Sequence, residues 1–73
     1  MNGTTFWLLI WIFAVEHPNG DVTDHVQTYA NKYTFEECIA QRDEFTRIIW
    51  LKDLTPDGGD ATYSRFVCVP VPQ

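Results

Sequence analysis

Between Phe6 and Val15 the chain reads FWLLIWIFAV, ten apolar residues without interruption. Such a run is a membrane span, an export signal or a buried strand. A spanning helix needs about 20 apolar residues, and this run stops at Glu16, His17 and Pro18. A secretory signal carries basic residues ahead of its apolar stretch and a small-residue cleavage site behind it. Residues 1–5 contain no Lys or Arg, and no such site precedes Glu16, so the expectation is neither a span nor a signal. Aromatic and β-branched enrichment, followed by Pro18, Asn19 and Gly20, predicts a strand that ends in a turn.

The remaining elements follow from local signals. Val22 to Ala30 places Val22, Val26, Thr28 and Ala30 at even spacing, with His25, Gln27 and Tyr29 between them. This predicts a half-buried strand, and Asn19-Gly20 predicts that it returns antiparallel to the first. Thr34 followed by Glu37 is a capping box, in which each side chain satisfies the other residue's backbone N–H, so a helix is expected to start there. Tyr33 and Cys38 stand at the two positions of a hydrophobic staple, and Glu36 and Glu37 meet the positive end of the helix dipole. Phe35, Cys38, Ile39, Phe45 and Ile49 share one helical face, with Arg42 as a snorkelling residue at its edge. The helix is expected to close around Leu51 to Asp53, and Thr55 to Asp60 reads as a mobile turn. A last strand presents Tyr63, Arg65, Val67 and Val69 on one side and Ser64, Phe66 and Cys68 on the other. Pro70 and Pro72 place it at a sheet edge or end it early. The order is β-β-α-β: one α+β domain over residues 1–73, a three-stranded antiparallel sheet with a single helix packed on one face.

That architecture poses a problem of cover. In the first strand Phe6, Leu8, Ile10, Ile12 and Ala14 point one way, while Trp7, Leu9, Trp11, Phe13 and Val15 point the other. One helix covers only one of these faces. With the aliphatic set under the helix, Trp7, Leu9, Trp11 and Phe13 form an exposed partner-binding surface, with the two tryptophans as anchors. The competing arrangement folds the tails and the loop from Asp53 to Asp60 over this face as a second small core, and a weak homodimer is a further way to cover it. Trp50, off the main apolar stripe, is either a lid on the core or part of a partner patch, and the lid is the expectation.

Composition narrows the chemistry. Ten acidic residues against five basic ones give a net charge of −5, the wrong sign for neutralising phosphates, so direct nucleic-acid binding is not expected. Cys38 and Cys68 fall where this fold could join them, but without an export signal the expectation is two reduced, buried thiols in the cytoplasm. With His17 and His25 they match no closed zinc spacing. Ser64 has no His and Asp frame, and Gly58-Gly59 is read only as a loop. No enzyme, metal or cofactor is therefore expected.

The acidic, aromatic-rich chain, with its FWLLIWIFAV strand and the capped helix TFEECIAQRDEF, resembles the small proteins that bacteriophages use to redirect host machinery. In particular it is similar to phage RNA polymerase-binding proteins that inhibit host initiation and promote antitermination. The resemblance implies a cytoplasmic transcription regulator that docks a host RNA polymerase subunit without a cofactor. The alternative is an exported or envelope-associated structural domain closed by a Cys38–Cys68 disulfide.

Overall fold

A computed structural model describes residues 5–72; most of the Met1 to Thr5 flank lies outside them. The apolar run forms strand β1 (Phe6–Glu16), followed by β2 (Val22–Thr28), helix α1 (Phe35–Ile48) and β3 (Asp60–Val71). The sheet is antiparallel in the order β2-β1-β3, so the most apolar strand is the central one. The α+β, β-β-α-β architecture read from the sequence is the architecture of the protein.

The β1–β2 connection is built by Pro18, Asn19 and Gly20. Gly20 N–H bonds the His17 carbonyl at 2.8 Å, and His17 N–H bonds that of Asp21 at 2.8 Å. Gly20 has φ +94°, the left-handed residue that closes a three-residue hairpin loop. Beyond Thr28 the chain still tracks β1: Tyr29 N–H bonds Leu9 O, and Tyr33 and Trp7 exchange both backbone hydrogen bonds.

Helix α1 starts at the predicted capping box, with both reciprocal bonds formed between Thr34 and Glu37. It ends at Ile48, earlier than the expected Leu51 to Asp53, and the C-cap Ile49 is extended at ψ 136°. Two adjacent β-branched residues favour leaving the helix, and the released chain lets the Leu51 carbonyl accept the Ala61 N–H of β3. The loop before β3 is tightly fitted. Gly59 is buried, and a Cβ there would stand 2.5 Å from Val15 Cγ1 and 2.6 Å from Thr55 Oγ1. Close approach of backbone to side chain requires glycine at this position.

The helix lies over β1 and β3 and leaves the other side of the sheet bare. Leu9, Trp11, Val15, Cys38 and Phe66 are the buried apolar residues. Leu9, Trp11, Cys38 and Phe66 form one cluster, packed by Trp7, Phe13, Tyr29, Tyr33, Phe45, Ile49, Leu54 and Cys68. A disulfide joins Cys38 in the first helical turn to Cys68 on β3, with a Cα separation of 6.1 Å. The expectation of two free thiols is thus overturned: the register puts Cys68 beside Leu9, on the covered face, directly under the helix.

Candidate functional site

The structure reverses the assignment of the two faces of β1. Leu9 is 0% exposed and Trp11 only 7%, while Trp7 and Phe13 are half-buried against them. The residues expected to form the partner surface, Trp7, Leu9, Trp11 and Phe13, are the inner layer of the core. Aromatic rings provide the volume a single helix needs beneath it. They form a continuous series: Phe13 stacks on His25 at 4.9 Å and on Trp11 at 3.7 Å, Trp11 lies 5.7 Å from Phe66, and Phe45 touches Phe66 and Tyr29. The one polar atom of the buried indole is satisfied, because Trp11 Nε1–H donates to Ser64 Oγ at 2.8 Å. Burial pushes the Tyr29 hydroxyl above its ordinary pKa.

The aliphatic set is the one left uncovered. Register places Ile10 between Thr28 and Val67, Ile12 between Val26 and Arg65, Ala14 between Asp24 and Tyr63, and Leu8 beside Val69. Residues directly opposite in an antiparallel sheet share a face. The open side is therefore a slab of Leu8, Ile10, Ile12, Val67, Val69 and Val26, with Asp24 and Arg65 at its margins. Val26, Val69 and Tyr63 are exposed, and Leu8, Ile10 and Ile12 are half-buried. The Asp53–Asp60 loop packs on the other side, the Trp11 and Val15 side, with Leu54 against the core cluster and Gly59 against Val15, so it extends the core under the helix and does not cover this face. The signal that could have found this face is the cysteine pair: once Cys38 in the helix is bonded to Cys68, the Phe66–Cys68 side of β3, and with it Leu9 and Trp11, must be the covered side.

Trp50 does not act as a lid. It is 69% exposed, beyond the end of α1, beside Tyr29, Phe45, Ile48 and Ile49. Arg42, at the edge of the helical stripe as expected, binds the Asp43 carboxylate at 2.9 Å.

A polar chain that sequence spacing did not suggest links the hairpin loop to the loop before β3. His17 Nδ1 is 2.8 Å from Asp57 Oδ2, His17 Nε2 is 2.9 Å from Thr23 Oγ1, and that hydroxyl is 2.7 Å from His25 Nε2. Asp57 also accepts a hydrogen bond from Thr55 Oγ1. The Thr55 and His17 bonds hold the Asp57 carboxyl below the usual carboxylate range. Carboxylate, imidazole and hydroxyl stand in the order of a hydrolytic triad. Yet the Thr23 hydroxyl is shared between two imidazoles, and Thr23 is exposed. The chain works as a clasp between two loops. No protein-family model, curated protein or solved structure matches this chain.

Proposed function

We propose that this protein is a non-enzymatic binding module that docks a partner protein on the uncovered aliphatic face of its sheet. The observation that carries the reading is the slab of Leu8, Ile10, Ile12, Val67, Val69 and Val26, which no segment of the described chain covers. Single exposed apolar residues are ordinary on a protein surface. A contiguous apolar face on a soluble-sized domain is the mark of an interaction site. The absence of charge from its centre, with Asp24 and Arg65 at the margin, follows the pattern of an interface with an apolar core and a polar rim.

Two readings of the partner divide by compartment. The resemblance to phage regulators favours a cytoplasmic partner, a subunit of host RNA polymerase, bound without contact to DNA. The Cys38–Cys68 bridge favours the second reading, an exported or envelope-associated domain, because disulfides persist in oxidising compartments and are rare in the cytosol.

Affinity capture from bacterial lysate, analysed by mass spectrometry, tests the proposal when run with two variants. Val26→Lys with Ile12→Thr should abolish recovery of the partner, and Trp50→Ser, away from the face, should leave it intact. Recovery that ignores the face variants defeats the reading. Recovery of polymerase subunits by the native bait supports the transcription branch, and quantitative absence of free thiols in freshly purified protein supports the exported one.

A further inference from the structure

The outer edge of β3 is open over a short window, and its direction follows from the hydrogen bonding of β1. Trp7 exchanges both backbone bonds with Tyr33, and Leu9 O accepts from Tyr29 N–H, so these odd-numbered residues of β1 turn their peptide groups toward β2. In the regular β1–β3 register they lie opposite Pro70 and Cys68, with Trp11 opposite Phe66 and Phe13 opposite Ser64. Peptide groups alternate in direction along a strand. The N–H and C=O groups of Ser64, Phe66 and Cys68 therefore point away from β1, into the space beside the sheet.

Both ends of this edge are blocked. At the start of β3, the Ala61 N–H is taken by the Leu51 carbonyl at 2.8 Å. At its end stand Pro70 and Pro72, which have no N–H to offer, as is common where an edge must not pair. Between these stops the window from Ser64 to Cys68 is about 13 Å long, at about 3.3 Å per residue.

A cleft runs alongside the window. It has a volume of about 750 Å³ and is bounded by residues 64–68 on the strand side and by Phe35, Ile39, Thr46 and Ile49 on the helix side. All five consecutive strand residues line it, as they do when the backbone edge itself forms one wall. The edge of β2 has no such neighbour, since α1 packs on β1 and β3. Charge adds a further constraint. The chain has five basic residues and a net charge of −5, yet Arg42 and Arg65 both line this cleft, with Asp43 as its one acid. Asp43 is paired with Arg42, and Arg65, which register places on the Ile12 side of β3 at the rim of this cleft, forms no ion pair among the described residues.

We infer that the β3 edge and its cleft form a binding site for an extended peptide segment of a partner, apolar at alternate positions and carrying an acidic side chain. The segment adds as a fourth strand on Ser64, Phe66 and Cys68. One set of its side chains enters the cleft against Ile39 and Ile49, and the acid lies at Arg65. Main-chain bonds supply the affinity and the cleft supplies selection, the mode of recognition known as strand addition. The cleft side of this site lies under the helix, away from the open sheet face, and only Arg65 and Val67, which border that face, are common to both.

The probe is a seven-residue, end-blocked peptide of alternating valine and glutamate, titrated into the ¹⁵N-labelled, disulfide-bonded protein. Amide exchange at Ser64, Phe66 and Cys68 should slow by at least about tenfold at saturation, the loss of a hydrogen bond being worth about that factor. The same peptide N-methylated at alternate amides should bind at least about tenfold more weakly. Thr46→Tyr, at an exposed helical position, should fill the cleft and weaken binding without altering the rest of the spectrum. Arg65→Gln should weaken the glutamate peptide but not a valine–threonine one. Three results of the titration overturn the inference: no perturbation of the three amides at millimolar peptide, equal binding of the N-methylated peptide, or perturbation confined to Ile10, Ile12 and Val67. The last would assign the peptide to the sheet face and leave the docking proposal standing. Protection of the same amides by protein concentration alone would show that a second copy's β3 is the occupant, and would equally overturn it.

Discussion

The indole N–H of Trp11 donates to the hydroxyl of Ser64 at 2.8 Å, across the β1–β3 boundary and beneath helix α1. The residue next in the chain, Ile12, lies on the opposite side of the sheet, with no helix over it. The core and the proposed docking surface are thus one peptide bond apart, which makes them separable by mutation.

Trp11→Ala should remove the centre of the aromatic series and leave Ser64 without its donor. Truncation of a buried tryptophan costs about 3–5 kcal/mol, a large part of the stability of a domain this small. Chemical denaturation should show either a loss of that size or an unfolded protein. A change under 1 kcal/mol on this scale would mean that the ring is not core.

Ile12→Thr should behave in the opposite way. Threonine keeps the β-branched shape that a strand favours, and the face is open, so stability should change by less than about 1 kcal/mol. Partner capture should fall sharply. If both fall together, Ile12 is packed within the monomer and the uncovered face is not a binding surface.

Reduction of Cys38–Cys68, which are 30 residues apart, releases a closed loop in the unfolded chain. The chain-entropy relation gives about 3–4 kcal/mol for a loop of this size. Denaturation of the oxidised protein and of the Cys38→Ser, Cys68→Ser double variant should differ by about that amount. Equal stability would show that the bridge adds nothing to the fold.

Gly59→Ala places a methyl group against Val15 Cγ1 and Thr55 Oγ1. Overpacking of this kind costs about 1–3 kcal/mol. Gly58→Ala offers a comparison with a different cause, because Gly58 has φ +86° and its penalty is backbone strain rather than lack of space. Wild-type thermal stability in Gly59→Ala would contradict the tight closure of this loop.

Asp57 provides a pH test. Its folded-state pKa is lowered by the hydrogen bonds from Thr55 and His17, so its contribution is present above the ordinary carboxylate pKa and is lost as pH falls through the lower, folded value. Between about pH 5 and pH 2 the thermal midpoint of the native protein should therefore fall more steeply than that of Asp57→Asn. Parallel curves would show that the clasp is not coupled to folding.

Much of this fold is legible locally. The hairpin at Pro18-Asn19-Gly20, the capping box of Thr34 and Glu37, and the two sides of β3 each depend on residues within a few positions of one another. So did the conclusion that β1 is apolar on both sides and that one helix covers only one. What the sequence by itself left undecided was which side. Strict alternation makes the Leu8–Ile10–Ile12 and Leu9–Trp11–Phe13 sets equally good candidates for burial, and a shift of one residue exchanges every side chain between faces. That choice rests on contacts between distant parts of the chain: Cys68 bonded to Cys38, Ser64 bonded to Trp11, and Phe66 packed on Phe45. The clasp of Asp57, His17 and Thr23 and the open window on β3 are non-local in the same way. Period and capping chemistry act over one or two turns of chain, so they determine the elements; facing, pairing and exposure are set by volume and hydrogen-bond satisfaction between elements, and these exist only in the folded protein.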